Sequence, residues 1–504
     1  MVTPQRRTHA PLVLLVALVL VLTACGSNLD PDQVAEAQGG AGGTGSGGSG
    51  LAANGGDPAA VDGSGGTVTD PGTTGGAGTT GGTTGTTGTS GTSGGGATTD
   101  GGGGTAPAGG GGGEAPTKPP VDTKGIDCSG FKNGPGVTDS TITIGNSSDI
   151  GGPVPGLFAT ARDATAAFTA YFNASVPDGI CGRKLALKMY DSRADAAADQ
   201  QNYAAACNEV FAMVGSQSAF DLGGAKTAQG CGLPDIRAGA VTFERNACTT
   251  CFAAQSVNTN FFENAVPDFI KKTYPGAEKK AAMFYTDAGA AAQNGQSQVR
   301  AMEARGMDFK IVQGIGITEF NYAPYVARLK SEGIEAVFFI TEYSYSLKMR
   351  QAMQQQGYTP RVYMRDPTDY NPQFVQKGGS AVDGTIVYTN YVPYEEKNAE
   401  SDLYEQWLNQ VKPGTPPLFF GTFAWSAARL FVELAAKLGG KLTRESLVAE
   451  LRKVDDWTAQ GMHAPQPVGS KGTGECWRFI QLKGGRWNPV GGTKFTCAGL
   501  TRAS

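Results

Sequence analysis

The sequence predicts an α/β protein built on open, mostly parallel sheets. Two observations carry that expectation. From Val137 onward, strand-like and helix-like segments alternate without a break, and strands such as "AVFFI" are apolar throughout rather than at every second position. Alternating elements call for parallel pairing through right-handed crossovers. A strand apolar on both sides suits a sheet covered on both faces. Length adds a third point, because the ~380 residues that follow a glycine-rich start can hold two lobes with separate cores.

The elements follow in order. "STITIGNSS" is a short β-rich run that ends in small polar residues. "LFATARDATAAFTAYFNAS" then sets Phe158, Ala161, Ala164, Phe168 and Phe172 at helical spacing. "KLALKMYDS" reads as the next strand and "ADAAADQQNYAAACNEV" as the next helix. "FAMVGSQSAFD" and "GAVTFER" each end a strand in a polar loop. The cycle restarts with "KKAAMFYTDAG" as strand and loop, a helix stopped by Gly306, and the strand "DFKIVQGIG". "YAPYVARLKSEG" is a helix closed by glycine, "IEAVFFITEY" an apolar strand, "SLKMRQAMQQQGY" a helix and "RVYMRD" a short strand. In such sheets ligands sit beyond the carboxyl ends of the strands. Those places hold "GNSSDIGG", "GSQSAFD", "AGAVTFER", "YTDAG", "ITEYS" and "MRDPTDY", where hydroxyl, amide and carboxylate side chains converge.

The first 124 residues carry no such pattern. Arg6 and Arg7 precede an apolar run from Leu12 to Leu22, too short to span a bilayer comfortably and suited to an export signal over residues 1–24. Leu22-Thr23-Ala24-Cys25 has the form of a bacterial lipobox, which would leave Cys25 lipidated at the new N-terminus. Residues 39–113 hold 34 of the chain's 75 glycines and have almost nothing to bury, so 25–124 is expected to be a disordered tether. As a Gly-rich coil of ~100 residues it would span about 55 Å root-mean-square.

Nine cysteines become eight once Cys25 is set aside, and an exported chain sits where disulfides persist. Eight cysteines permit 105 pairings. Pairing near neighbours gives Cys128–Cys181, Cys207–Cys231, Cys248–Cys251 and Cys476–Cys497. The "CTTC" of 248–251 has the spacing of a thiol-redox pair, but it follows a strand and an arginine, and no helix clearly starts at its first cysteine. It is therefore read first as a loop staple.

The formal charge of −4 and the lack of a basic run argue against nucleic acid as a partner. Apart from His9 in the export signal, the only histidine is His463 in "GMHAPQP". There is no GxSxG, no HExxH and no His/Cys cluster, so neither an enzyme, a metal nor a cofactor is implied.

Residues about 137–460 resemble the type I periplasmic binding fold, in particular the leucine/isoleucine/valine-binding family of ABC importer receptors. The resemblance rests on "GITEFNYAPYVARLKSEGIEAVFFITEYSYSLKMRQAMQQQGY", on "ICGRKLALKMYDSRADAAADQQNYAAACN", and on "GTIVYTNYVP" with "FFGTFAWSAARLFVELAAK". It implies two lobes, each a mostly parallel sheet flanked by helices, with a ligand cleft between them. One lobe would hold about 137–257 and 391–472, the other 258–390 and 473–504, the latter ending in a terminal strand "CWRFIQLKGGRWNPV". It further implies a monomeric receptor that closes on a small polar solute, an amino acid or a related amide or carboxylate, beside an ABC permease. The lipid at Cys25 would keep it outside the cytoplasm on the membrane.

By the same resemblance, Ser216, Gln217 and Ser218 in the loop after the third strand, with Thr242 in the next, would meet a ligand carboxylate, and Ser148 lies in the first such loop. On the second lobe Tyr343 fits the family's cleft aromatic, while Glu342, Asp366 or Asp369 could supply the acid for a ligand ammonium. A surface receptor for sensing or adhesion remains the alternative within this fold, and a tethered redox protein using Cys248 and Cys251 the alternative outside it.

Overall fold

A computed structural model describes residues 121–503, which lie within one compact unit. The first sheet takes β1 (Thr141–Ser148), β2 (Lys184–Asp191), β3 (Ala212–Val214), β4 (Asp235–Ala240) and β5 (Cys251–Ser256), in the order β2-β1-β3-β4-β5. All its pairings are parallel. Helices Ala159–Ser175 and Phe419–Leu438 pack on one face, where Ile144, Ile236 and Phe252 meet Phe168, Trp425 and Phe431. Helices Ala196–Glu209 and Ala225–Gly230 cover the other face through Tyr203, Ala206 and Ala225.

The strand β6 (Phe261–Glu263) follows, and then the second sheet begins with β7 (Ala281–Thr286), β8 (Phe309–Ile315), β9 (Ala336–Ile340), β10 (Val362–Arg365) and β11 (Thr385–Thr389). These five pair in parallel, and β12 (Cys476–Lys483) and β13 (Arg486–Val490) extend the sheet antiparallel beyond β11. The burial pattern of β9 and β11 explains their unbroken apolar runs, since every residue in both is buried. Two short strands finish the chain: β14 (Thr496–Cys497) pairs with β12, and β15 (Leu500–Arg502) with β6.

One correction concerns the C-terminal segment. The single strand expected over "CWRFIQLKGGRWNPV" is a hairpin, because Gly484 (φ +58°) and Gly485 (φ +75°) both take the left-handed conformation that a two-residue hairpin turn requires. Helix Ala265–Thr273 and strands β5 and β6 carry no pattern strong enough for the sequence reading to have singled them out.

Four disulfides close: Cys128–Cys181, Cys207–Cys231, Cys248–Cys251 and Cys476–Cys497. Cys476 and Cys497 face each other across the β12–β14 pairing. The export signal, Cys25 and nearly all of the glycine-rich tether lie outside the described residues. Among the described residues, no helix is long and apolar enough to cross a membrane.

Helix Phe419–Leu438 is the main wedge of the first half. Trp425 is fully buried, stacked on Tyr171 at 5.6 Å between ring centroids and edge-on to Phe168 at 4.8 Å. Burying rings of this size stabilises the fold by roughly 2 kcal/mol each. The indole N–H of Trp425 donates to Glu400 at 2.6 Å, and Arg429 grips the same carboxylate at 2.6 and 2.7 Å.

The chain passes between the two sheets three times, near 257–260, 390–392 and 471–475, and the crossings bind one another. Asn258 N–H donates to Thr473 Oγ1 at 2.9 Å, Gln255 Nε2 to Asn390 Oδ1 at 3.3 Å, and Ala464 N–H to the Asn390 carbonyl at 2.8 Å. An aromatic chain follows the middle crossing, from Tyr370 through Tyr391 and Tyr394 to Phe419 and Phe423.

Candidate functional site

Open parallel sheets place function at the carboxyl ends of their strands, and here the two carboxyl edges meet. Ala290 N–H, in the first turn after β7, donates to the Ala219 carbonyl after β3 at 2.9 Å. Phe243 N–H, after β4, donates to Gln293 Oε1 at 3.3 Å. Gly289 permits the first approach: a Cβ there would come within 2.4 Å of the Ala219 oxygen.

At the first edge the serines singled out from sequence are buried and bonded within the chain. Ser148 Oγ donates to Asn146 Oδ1 at 2.7 Å and accepts from Gln217 N–H at 3.3 Å. Ser216 Oγ accepts from Ser147 N–H at 3.0 Å, and Ser218 Oγ from Phe220 N–H at 3.2 Å. Thr242 caps the short helix Phe243–Ala247, its hydroxyl accepting from Arg245 N–H at 3.4 Å. Gln217 is different. Its Oε1 is buried with no hydrogen-bond partner and lies against Gly239, where any Cβ would sit 2.9 Å from it.

Three aspartates that the sequence reading did not select organise this edge, although all three sit inside stretches it quoted. Asp149, fully buried, accepts from Ser192 Oγ at 2.6 Å, Ala194 N–H at 2.9 Å and Ala219 N–H at 2.7 Å. Asp191 accepts from the N–H groups of Ile150 (3.0 Å), Gly151 (3.0 Å) and Arg193 (2.9 Å). Burial opposes the charge of Asp191, yet these N–H bonds hold its carboxyl below the usual range. Asp221 accepts from Val241 N–H at 2.9 Å and Thr242 N–H at 3.4 Å.

The second edge is built otherwise. Asp369 is fully buried and takes a two-pronged grip from Arg365, at 2.8 Å through Nε and 2.9 Å through Nη2, plus a bond from Ser346 Oγ at 2.5 Å. Glu342 caps helix Tyr343–Gln355 and accepts from the N–H of Ser344 at 2.8 Å and from its hydroxyl. Burial pushes the Glu342 carboxyl up, opposed by those two bonds. Asp366 accepts from the N–H and hydroxyl of Thr368 and remains partly exposed. Tyr343 is partly exposed and donates to Gln373 Oε1 at 2.6 Å.

The remaining sequence candidates fall away from chemistry. Cys248 and Cys251 are both buried and bonded to each other at the start of β5, beside a buried network in which Arg245 joins Asp199 and Asp235 at 3.1 and 2.7 Å. A redox pair needs an accessible sulfur, and neither of these is. His463 is a core residue: its Nε2 shares a 2.8 Å bond with Ser426 Oγ, and burial lowers its pKa to about 4. Among the described residues, no group of three His, Cys, Asp or Glu could hold a metal ion.

Two helix-flanked parallel sheets with apposed carboxyl edges and three bonded crossings define a two-lobed α/β receptor class. The chain belongs to the periplasmic binding protein family, whose sequence profile matches residues 141–486. It is similar in fold to the branched-chain amino acid substrate-binding protein LivJ of Streptococcus pneumoniae, solved with isoleucine (TM-score 0.59, 14% identity, 69% of this chain and 98% of that one). It is likewise similar to a branched-chain amino acid ABC transporter protein of Thermus thermophilus with bound valine (TM-score 0.61, 17% identity, 71% and 97%). A fatty acid ABC transporter substrate-binding protein of Thermomonospora curvata is as similar (TM-score 0.61, 17% identity, 73% and 95%). No curated protein sequence matches the chain.

Proposed function

We propose that this chain is the extracytoplasmic solute-binding component of an ABC importer, held at the membrane by a lipid on Cys25 and working as a monomer. One lobe would comprise 137–257 with 391–472 and the other 258–390 with 473–504, closing about the three crossings on a small polar solute. The observation that carries this reading is the meeting of the two carboxyl edges at Ala219–Ala290 and Phe243–Gln293, beside bonded crossings. Opening such an interface and closing it on a ligand is a hinge motion that needs no chemistry at the site. The ligands named for the structural relatives set the first classes to try, and Gln217, Ser218, Tyr343 and Asp366 are the residues proposed to meet the solute. The glycine tether would keep the receptor at a high effective concentration near its permease.

The test is thermal unfolding of the purified full chain against amino acids, amides and small carboxylates, with solution scattering on any compound that responds. A ligand at a hundred times its dissociation constant should add about 2.7 kcal/mol, and closure should shrink the radius of gyration. Stabilisation without compaction would favour a sensing receptor that does not close. Replacement Cys25→Ser should move the protein from the membrane to the soluble fraction; unchanged fractionation would end the lipid-anchor reading.

A further inference from the structure

A cavity of about 430 Å³ lies between the β12–β13 hairpin and the segment that leaves the middle crossing. Ile480, Trp487 and Pro489 of the hairpin line it, with Pro393, Glu395 and Glu396 of that segment. Its volume falls within the range of small-molecule sites, roughly 300–1,000 Å³. It shares no lining residue with the two carboxyl edges.

The sequence builds its apolar wall by strand periodicity. Trp487 and Pro489 stand two apart on β13 and so share a face, and Ile480 pairs directly across from Pro489. Because β13 is the edge strand of its sheet, a proline without an N–H is tolerated there. Trp487 is nearly buried and packs almost perpendicular to Tyr370, with 5.5 Å between ring centroids.

The two glutamates on the facing wall are not equivalent. Arg478 grips both oxygens of Glu396, at 3.0 Å through Nη1 and also through Nη2, so that charge is cancelled. Glu395 accepts only from the neutral Tyr370 hydroxyl, through Oε2. The adjacent Lys397 reaches Asp402 instead, and among the described residues no lysine or arginine pairs with Glu395. The cavity therefore combines an indole, an aliphatic and proline wall, and one uncompensated negative charge. An anion would meet that charge with no cation in the lining to offset it. A strongly hydrated metal ion would lack ligands, since no group of three His, Cys, Asp or Glu among the described residues could hold one. A weakly hydrated organic cation suits every wall: its charge is attracted by the carboxylate and the indole, and its alkyl groups are covered by the aliphatic side chains.

We propose that this cavity binds a small organic cation of the quaternary-ammonium type, held by Glu395 and Trp487 and packed against Ile480, Pro393 and Pro489. The site is separate from the cleft, and the proposal does not depend on the receptor reading. Bound there, the cation would pin the segment after the middle crossing to the hairpin.

The probe is choline, paired with its uncharged carbon isostere 3,3-dimethylbutan-1-ol, each titrated by calorimetry into the full chain. Choline should bind about tenfold tighter than the alcohol. Glu395→Gln should remove that preference and leave the unfolding temperature almost unchanged, because the glutamine amide oxygen still accepts from Tyr370. A second variant tests the place rather than the charge: Thr493, exposed and in the lining, becomes a bulky cation in Thr493→Arg, which should block choline with Glu395 intact. Equal affinity for choline and the alcohol overturns the proposal, as does the absence of binding by either probe. Choline binding that survives both variants unchanged puts the cation elsewhere on the chain and overturns it too.

Discussion

The two carboxyl edges solve one problem in two ways. Both bury carboxylates, and a buried carboxylate must be compensated or it will not stay charged. At the first edge the compensation for Asp149 is dipolar, two backbone N–H groups and a hydroxyl drawn from the loops after β2 and β3. At the second edge Asp369 is compensated by a full positive charge four residues away in sequence. The difference has an electrostatic consequence. A dipolar socket leaves the negative charge in place and fixes loop geometry, whereas an ion pair cancels the charge and fixes a single turn. The first edge is thus a rigid acidic rim and the second a more neutral surface from which Tyr343 and Asp366 project.

Removing the compensated group separates the two cases most sharply at Asp369. Asp369→Ala leaves the buried Arg365 guanidinium with only its longer 3.8 Å pairing to Asp366, and breaking such a buried pair costs about 3–5 kcal/mol. Chemical unfolding should show a loss of that size, and a loss below about 1 kcal/mol would mean that Arg365 finds another partner. Asp149→Ala should cost somewhat less, about 3 kcal/mol, because it orphans neutral donors rather than a charge. If the two variants proved equally destabilised, the distinction between dipolar and ionic compensation would lose its force.

A third carboxylate has neither solution and sharpens the comparison through pH. Glu263 on β6 is buried, its Oε1 has no partner, and burial raises its pKa to about 8. The folded state therefore holds a proton that the unfolded state releases near 4.5. Its contribution is fully present below that value and is lost as pH rises toward 8, by roughly 1.4 kcal/mol per unit. Between pH 6 and 7.5 the full chain should lose about 2 kcal/mol from this group, and Glu263→Gln should flatten that slope. His463 works in the opposite direction, with stability lost as pH falls from 6.5 toward 4, so the two effects occupy separate ends of a titration.

The sequence disclosed the sheets more readily than the socket, for a physical reason. Strand and helix periodicity are local, so "AVFFI" and the stripe of Phe168 and Phe172 announce their burial within a few residues. The loop stretches were legible too, because small polar residues gather where strands end. The role of the aspartates was not, since Asp149 finds its partner Ala219 seventy residues on and Asp221 finds Val241 twenty residues on. A carboxylate facing an N–H in another loop leaves no spacing rule. The hairpin turn at Gly484-Gly485 was readable in principle, because two glycines flanked by Lys483 and Arg486 are a two-residue hairpin signal that the reading of one long strand passed over. Arg365 and Asp369 stood four apart in plain view, but the intervening proline disguised a turn that closes the pair.

The smallest predicted effect tests whether the serines of the first edge belong to the scaffold or to the site. Ser216 Oγ accepts a hydrogen bond from Ser147 N–H, and both residues are fully buried. Ser216→Ala orphans one neutral N–H, which costs about 1 kcal/mol, well below the cost at Asp149 because one donor is orphaned rather than three. Its effect on solute affinity should be under threefold if the hydroxyl oxygen, which accepts from Ser147 N–H, serves the scaffold alone. Gln217→Ala should behave in the reverse manner: its amide oxygen has no partner to lose, so stability should hold while affinity for the solute falls about tenfold, near 1.4 kcal/mol. Measuring both quantities on both variants gives a two-by-two result. If Ser216→Ala lost affinity and kept stability, the hydroxyl would belong to the solute, and the rigid rim would have to be redrawn around Asp149 and Asp191 alone.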